Sequence, residues 1–165
     1  MRILGIDPGL ANTGWGVVDG IGQRFRPVSF GVIRTSGDEK EPLRIHDIAV
    51  KIGDIAQKYA VETVGIEDIY FTRNISSAIS VAKVIGAVCH ELAGQELPIR
   101  LYSPVQIKST ITGYGGADKK QMQEMVRLHL GLKEVPKPDH AADALSVAIC
   151  LATLESSRIR MGKRI

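Results

Sequence analysis

Two short apolar runs that each end in a carboxylate place the strongest constraint on how this chain folds. Residues 3–6 lead into Asp7, and the run at residues 61–67 ends in Glu67. Short apolar runs bounded by turn residues are typical of buried β-strands. Because neighbouring strand ends in a mixed α/β sheet meet at the edge where ligands usually bind, we expect Asp7 and Glu67 to lie close together.

The order of the predicted elements indicates how the sheet is built. Three strand-like runs, separated by a Pro-Gly turn and a turn at residues 19–23, open the chain and predict an antiparallel meander. Helical periodicity begins at residue 42, and from there strands alternate with helices. The later strands are predicted at residues 61–67 and 98–102, and the later helices at about 75–92, from 104, at 118–130 and at 139–156. This order favours an α/β fold with a mixed five-stranded sheet flanked by helices.

The length and the charge distribution indicate one domain with a basic tail. A chain of 165 residues is about the size of a single domain, and 44% hydrophobic residues exclude a disordered chain. Residues 158–165 contain four of the 21 basic residues and no acid, which leaves 17 basic against 18 acidic residues elsewhere. We therefore predict a domain over residues 1–157 and a basic C-terminal tail over 158–165. Binding to a polyanion must then depend on local basic groups.

The cysteines and the apolar segments favour the cytoplasm. Cys89 and Cys150 are the two cysteines, and each lies in an apolar run, which predicts buried, unbridged thiols in a reducing compartment. The first apolar run is too short for a secretion signal. The longest apolar stretch, residues 78–93, includes charged residues and falls short of the ~20 residues that a bilayer span requires. We therefore predict that this stretch is a buried helix.

A histidine and a carboxylate open the last predicted helix. His140 and Asp143 are spaced i, i+3, which places both on one helical face. If that face packs on the sheet, both side chains join Asp7 and Glu67. Oxygen ligands suit Mg²⁺ or Mn²⁺, and an imidazole favours Mn²⁺. Each residue also has a structural explanation as a turn residue, a solvated strand end or a first-turn helix residue, so the pattern alone leaves both interpretations open.

Four segments together resemble the RuvC family of Holliday junction resolvases. They are GIDPGLANTGWG at residues 5–16, VGIEDIYFTRN at 64–74, SPVQIKSTITGYGGADKKQMQ at 103–123 and PDHAADAL at 138–145. One such motif would also fit an actin-like ATPase or another ribonuclease-H-like nuclease. Four segments in the family's order span nearly the whole chain. The resemblance implies a ribonuclease-H-like fold and a crossover junction endodeoxyribonuclease that acts in DNA recombination and repair.

The resemblance also implies the catalytic residues and the metal. The family's catalytic acids and metal ligands fall on Asp7, Glu67 and Asp143, and its fourth ligand position falls on His140, where many relatives have aspartate. Asp139, one residue earlier, is assigned to capping the last helix. Two Mg²⁺ ions per active site are implied, and Mn²⁺ is expected to substitute. The implied reaction is in-line phosphodiester hydrolysis that leaves 5′-phosphate and 3′-hydroxyl ends, in two symmetric nicks.

DNA contacts and partners follow from the same resemblance. The implied DNA-binding residues are Tyr70, Phe71, Arg73, Lys108 and Lys119. An aromatic ring at the position of Tyr70 is expected to stack on bases or wedge between them at the crossover. The implied partners are four-way junction DNA, a second copy of the chain and the RuvA–RuvB branch-migration complex, without a membrane. Small residues in the helix at 77–92 favour a two-fold interface, although core packing explains them equally well.

Three other functions stay open on the sequence. The first is a junction-binding protein that does not cut, in which one of the four candidate ligands would fail to converge. The second is an actin-like ATPase, which the length disfavours because that architecture needs two such domains. The third is a related nuclease that acts on RNA and shares the carboxylates.

Overall fold

A mixed five-stranded sheet with helices on both faces forms the centre of the structure, a computed structural model that describes residues 1–21, 24–69 and 75–160. The strands are β1 (Arg2–Asp7), β2 (Asn12–Ile21), β3 (Arg24–Arg34), β4 (Thr63–Glu67) and β5 (Ile99–Tyr102). The helices are α1 (Glu41–Lys58), α2 (Ile75–Gly94), α3 (Pro104–Thr112), α4 (Lys119–His129) and α5 (Asp139–Arg160). The strand order is β3-β2-β1-β4-β5. The predicted α/β sheet of five strands is therefore confirmed.

The strand register brings two carboxylates to one edge of the sheet. The first three strands pair antiparallel, as the predicted meander requires. The central strand β1 then pairs in parallel with β4, with Ile6 opposite Ile66. Asp7 and Glu67 follow these two residues, so both lie at the carboxyl ends of adjacent parallel strands. This is the edge at which ligands bind in open α/β sheets.

The sheet separates two hydrophobic clusters. One cluster joins the strands to α3, α4 and α5, and Leu145 and Ile149 of α5 are its fully buried centre. The other joins the strands to α1 and α2, with Ile48, Ile52 and Leu92 fully buried. Each fully buried aliphatic side chain of this size stabilises the fold by about 1.5–3 kcal/mol relative to its exposed state. The two clusters fix the helices against both faces of the sheet.

Glycines in the central strands let α5 lie unusually close to the sheet. A Cβ atom on Gly5 would overlap the backbone of Ala144 and Ala148, and one on Gly14 would overlap the backbone of His140. No side chain separates the helix backbone from the strands at these points. The first turn of α5 is thereby held against the end of β1, where Asp7 lies.

The helix α2 is buried on one side only, which corrects the prediction of a buried helix. Val84, Val88 and Leu92 lie in the core, whereas Ile79 is 51% exposed. On the same outer side Gly86 is exposed, and a Cβ atom there would meet no atom within 4 Å. Periodicity cannot reveal this arrangement, because the helix is apolar on its outer side as well.

The apolar character of α2 is strong enough to meet a length and composition test for a membrane span. The segment Ser76–Gly94 passes that test, although residues 78–93 alone fall short of a span. A single such segment is weak evidence, because apolar helices of soluble proteins pass the same test.

Cys89 and Cys150 are both unbridged, as predicted, but only Cys150 is fully buried.

Several elements are longer than the sequence predicts. Strand β2 runs to Ile21, so residues 19–21 of the predicted turn at 19–23 belong to a strand, and residues 22 and 23 lie outside the described residues. The exposed arginines at positions 24 and 26 alternate with Phe25, which is buried, so this is an edge strand with a polar outer face. The last helix continues to Arg160, beyond the end predicted near residue 156.

Candidate active site

Three of the four predicted ligands form a compact group at the carboxyl end of β1. Candidate ligand atoms of Asp7, His140 and Asp143 all lie within 4.8 Å of one another. The Nδ1 atom of His140 lies 2.8 Å from Oδ2 of Asp7, at hydrogen-bond distance. Glu67 is outside this group. It follows Ile66, which pairs with Ile6 just before Asp7, and it lines one cavity together with Asp143. Residues far apart in the chain thus meet at one sheet edge.

The first turn of α5 supplies two of these side chains because of how the helix packs. His140 and Asp143 are three positions apart in the helix and therefore share a face. Between them, Ala141 and Ala142 are almost completely buried against the sheet side of the helix. The absence of a side chain at Gly14 allows the backbone of His140 to approach β2. The position of the imidazole thus depends on a glycine in a strand.

The carboxyl groups of this site have raised pKa values. Burial raises the pKa of Asp7, although the hydrogen bond from His140 opposes the shift. Burial, followed by the charges of Asp7 and Asp143, raises the pKa of Glu67 to about 7. Burial and the charge of Asp7 also raise the pKa of Asp143. Crowded, partly buried carboxylates with one imidazole make a donor set that fits a divalent cation, which would neutralise their repulsion.

Lys119 lies beside the carboxylates and is held there by Asp139. Its Nζ atom is 2.9 Å from Oδ2 of Asp139 and 3.8 Å from Oδ2 of Asp143. The side chain of Gln123 also donates to Asp139, at 3.1 Å. The assignment of Asp139 to capping is wrong, because α5 begins at Asp139 and this carboxylate binds α4 instead. A contact between residues so far apart in the chain has no local signal in the sequence.

Lys108 is the second predicted lysine that the structure brings to the site. It lines a cavity of about 200 Å³ together with Glu67, Lys119 and Asp143. Its positive charge partly offsets the raised pKa of Glu67. The helix that carries it begins with a capping box, in which Ser103 accepts from the backbone of Gln106. The other predicted DNA contacts, Tyr70, Phe71 and Arg73, lie outside the described residues.

A second cavity next to the site has no counterpart among the sequence-based predictions. It has a volume of about 540 Å³, and His140 forms part of its lining. Arg44 on α1 also lines it, a residue that the sequence did not single out. Arg44 has no distinguishing signal there, because it is one of several charged residues on the polar side of an amphipathic helix.

The part of the chain that contains these residues matches a known family. The family model for crossover junction endodeoxyribonuclease RuvC matches residues 3–151. This chain belongs to the RuvC family. It is 46% identical over 151 residues to the RuvC of Brevibacillus brevis, with 90% of each chain covered. It is 42% identical over 162 residues to the RuvC of Chloroflexus aggregans, covering 98% of this chain and 99% of the relative.

Solved RuvC structures have the same fold as this chain. The Thermus thermophilus RuvC structure matches it with a TM-score of 0.88 and 34% identity, covering 99% of this chain and 98% of that one. The same protein in complex with a Holliday junction substrate gives a TM-score of 0.89, also at 34% identity, covering 99% of this chain and 97% of that one. The yeast mitochondrial resolvase Ydc2 matches with a TM-score of 0.73 at 12% identity, a likeness of fold alone, covering 98% of this chain and 83% of that one. The predicted ribonuclease-H-like fold is confirmed.

Proposed function

We propose that this chain is a structure-selective endonuclease that resolves four-way DNA junctions by paired, symmetric nicks, in homologous recombination and DNA repair. The observation that carries the proposal is the convergence of Asp7, His140 and Asp143 within 4.8 Å, beside Glu67. Membership of the RuvC family over residues 3–151 supports the nuclease activity. The complex of the Thermus thermophilus relative with a Holliday junction supports the substrate.

The proposed cofactor is Mg²⁺, two ions per active site, with Mn²⁺ able to substitute. The proposed ligands are Asp7, Glu67, His140 and Asp143, which are also the proposed catalytic residues. When bound, divalent ions activate water for attack on phosphorus and neutralise charge on the leaving 3′ oxygen. The raised carboxyl pKa values support this assignment, because burial and then mutual repulsion raise them, and a bound cation would offset both.

The chain's own groups supply the remaining electrostatics of the reaction. The hydrogen bond to Asp139 raises the pKa of Lys119, so this ammonium stays charged at neutral pH beside Asp143. We assign Lys119 and Lys108 to the backbone of the cleaved strand near the scissile phosphate. Their attraction for the phosphate offsets its repulsion from the carboxylates. The expected products carry 5′-phosphate and 3′-hydroxyl ends.

Further DNA contacts are proposed for the segment that follows Glu67. Tyr70 and Phe71 supply two aromatic rings and Arg73 a guanidinium, directly after a proposed ligand in the sequence. Rings of this kind stack on unpaired bases, and at a junction they can wedge between base pairs. We therefore expect Tyr70→Ala to lower cleavage of a junction more than it lowers binding.

A homodimer is the proposed form of the enzyme. Two symmetric nicks need two active sites, and one chain supplies one. The outer side of α2 offers a surface of small and apolar residues that a second copy can cover around a two-fold axis. The exposed members of that surface are Ile79, Ala82, Gly86 and Ala93.

We further propose a cytoplasmic enzyme with one nuclease domain over residues 1–157 and a basic tail over residues 158–165. Association with RuvA–RuvB stays a prediction.

The test of the proposed function compares cleavage of a mobile four-way junction with cleavage of linear duplex DNA and of an RNA–DNA hybrid. Each substrate is incubated with Mg²⁺, with Mn²⁺ or with chelator. We expect paired nicks in the junction only, and only with a divalent ion. Asp7→Asn is expected to bind the junction without cutting it. Cutting by Asp7→Asn would refute the assigned site, and preferred cutting of the hybrid would favour the RNA nuclease.

A further inference from the structure

The second cavity adjoins the candidate active site at His140, and its lining includes neither Lys108 nor Lys119. The two cavities have no lining residue in common: His140 lines the larger, and Asp143, one helical turn away, lines the smaller. A DNA strand whose scissile phosphate lies at the carboxylates must extend in both directions. If one direction is the cavity with Lys108 and Lys119, the other direction is the cavity of about 540 Å³ with Arg44.

Arg44 is held in a fixed orientation at this cavity. Its Nε atom donates to Oγ1 of Thr35 at 2.9 Å, and that hydroxyl donates to the backbone oxygen of Leu10 at 2.5 Å. The backbone N–H of Thr35 in turn donates to the oxygen of Ala11, at 3.1 Å. The guanidinium is therefore tied through Thr35 to the turn that follows Asp7. Because Nε makes this bond, the terminal Nη atoms are the donors that a ligand can use.

Arg44 forms no ion pair with an acid in the described ranges, although its charge also acts on Glu41 at longer range. Across the described ranges, no carboxylate oxygen lies within 4.0 Å of its guanidinium nitrogens. Glu41, one turn earlier on the same helix, is occupied by Lys83 at 2.8 Å and by Ser80 at 3.2 Å. A partly buried, oriented guanidinium without an anionic partner is well suited to a phosphate, whose oxygens match its planar donors.

We propose that Arg44 binds a phosphate of the cleaved strand next to the scissile phosphate and positions the strand over the carboxylates. Arg44 is then a positioning residue, since it touches a neighbouring phosphate and not the reacting atoms. The inference depends on the proposed function, because it needs a DNA strand at the site.

Chemical substitution of single phosphates tests the proposal. Junctions are prepared with one neutral methylphosphonate at each of the positions that flank the scissile phosphate, and single-turnover cleavage is measured with the wild type, Arg44→Gln and Arg44→Lys. For the wild type we expect one flanking position at which the substitution slows cleavage roughly tenfold, the size of a lost charged hydrogen bond. Arg44→Gln should be slowed about as much on the unmodified junction and no further by that methylphosphonate.

Each outcome decides for or against Arg44. The proposal is overturned if the effects of Arg44→Gln and of the methylphosphonate are additive at every flanking position. It is also overturned if Arg44→Gln leaves the salt dependence of junction binding unchanged. Loss of one phosphate contact should lower the slope of log K against log salt concentration by about one. Rescue by Arg44→Lys supports a charge contact, because lysine keeps the charge but not the geometry of the bond to Thr35. For each variant, the cleavage rate on the methylphosphonate junction is divided by its own rate on the unmodified junction. A partly unfolded variant therefore does not mimic the result.

Two controls separate this proposal from the proposed function. Lys51→Gln removes a positive charge from the same helix at an exposed pair with Asp47, and it should retain the wild-type interference pattern. Asp7→Asn is measured in parallel. If the wild type does not cut the junction, the proposed function fails, and if Asp7→Asn still cuts, the assigned site fails. If the wild type cuts, Asp7→Asn is inactive and Arg44→Gln shows only additive effects, the assignment of Arg44 alone fails.

Discussion

The helices α5 and α2 are similar in length and apolar composition, yet they differ in how much of their surface is buried. α5 has 22 residues and α2 has 20. In α5, the stretch from position 141 to 152 is buried except at Asp143, the proposed ligand. In α2, one side is buried and the other exposes Ile79 and a row of small residues. Apolar composition therefore predicts that a helix surface will be covered, but not whether the same chain or a partner covers it.

The two helices have different roles in the molecule. α5 is packed against the sheet so closely that its first turn can place His140 and Asp143 within ligand distance of Asp7. α2 contributes no residue to that group, and its outer surface is the proposed dimer contact. Four predictions test this difference, starting with the largest expected effect.

Asp143→Asn, in the first turn of α5, should greatly slow cleavage without harming the fold. Loss of one proposed ligand should lower single-turnover cleavage about 10³-fold, because several kcal/mol of charge stabilisation at the phosphate are lost. Removal of a carboxyl group whose pKa is raised by burial should leave the metal-free protein as stable as before or more stable. The matched control is Asp139→Asn, which removes an exposed carboxylate four positions earlier that binds Lys119. This variant should lower the cleavage rate less than tenfold. Equal losses in both variants would contradict the assignment.

Gly5→Ala should destabilise the fold, because the new methyl group would overlap the backbone of α5. Overpacking of this kind costs about 3 kcal/mol or more when the neighbour is backbone, which cannot rotate away. Urea denaturation measures the free energy of unfolding. The same substitution on α2, Gly86→Ala, meets open space and should stabilise the monomer by up to about 1 kcal/mol through helix propensity. Similar free energies of unfolding for both variants would show that α5 is not closely packed.

The carboxylates beside the first turn of α5 should make the metal-free protein less stable as the pH rises. The pKa of Glu67 is raised to about 7 in the folded state, so folding binds a proton and the resulting stability is lost as the pH passes through 7. We expect a decrease of at most about 2 kcal/mol between pH 5.5 and 8 in chelator, because partial solvent screening lowers the full value for this pKa shift. Glu67→Gln should remove most of the decrease, and Mg²⁺ should restore stability at pH 8. This explanation would be refuted if the free energy of unfolding fell with pH as steeply in Glu67→Gln as in the wild type.

Gly86→Gln should weaken the dimer without weakening the chain. The exposed site accepts a longer side chain, but a second helix could no longer approach at that point, so the dissociation constant should rise about tenfold or more. Sedimentation across a range of concentrations measures dissociation, and urea denaturation under monomeric conditions measures the chain. Lys83→Gln on the same helix removes a surface pair with Glu41 and is the control for a general effect of α2. An unchanged dimer would remove α2 from the interface.

Much of this site could be predicted because strand ends are local signals. Asp7 and Glu67 each follow an apolar run, and adjacent parallel strands bring such ends together without further information. The i, i+3 spacing of His140 and Asp143 likewise defines a helix face from the spacing alone. What converts these fragments into one site is the close approach of α5, which depends on Gly5 and Gly14 in other elements.

The features that the sequence did not predict depend on contacts between distant residues. Capping is a local rule, so the sequence predicts that Asp139 caps α5, whereas its bond to Lys119 crosses from α5 to α4. The sequence does not distinguish Arg44, because the orientation of this residue is set by Thr35, which follows the end of β3 and does not belong to the helix. Periodicity predicts a buried outer side of α2, because it measures apolar character and not the identity of the covering surface.

The pairing of β1 with the first turn of α5 has a consequence for biosynthesis. As the chain leaves the ribosome, Asp7 and Glu67 emerge early, whereas His140 and Asp143 follow only after more than 70 further residues beyond Glu67. A nascent or prematurely terminated polypeptide that lacks α5 therefore has two of the four proposed ligands and no clamp to hold a cation between them. We therefore expect the metal site to form only after α5 has been synthesised.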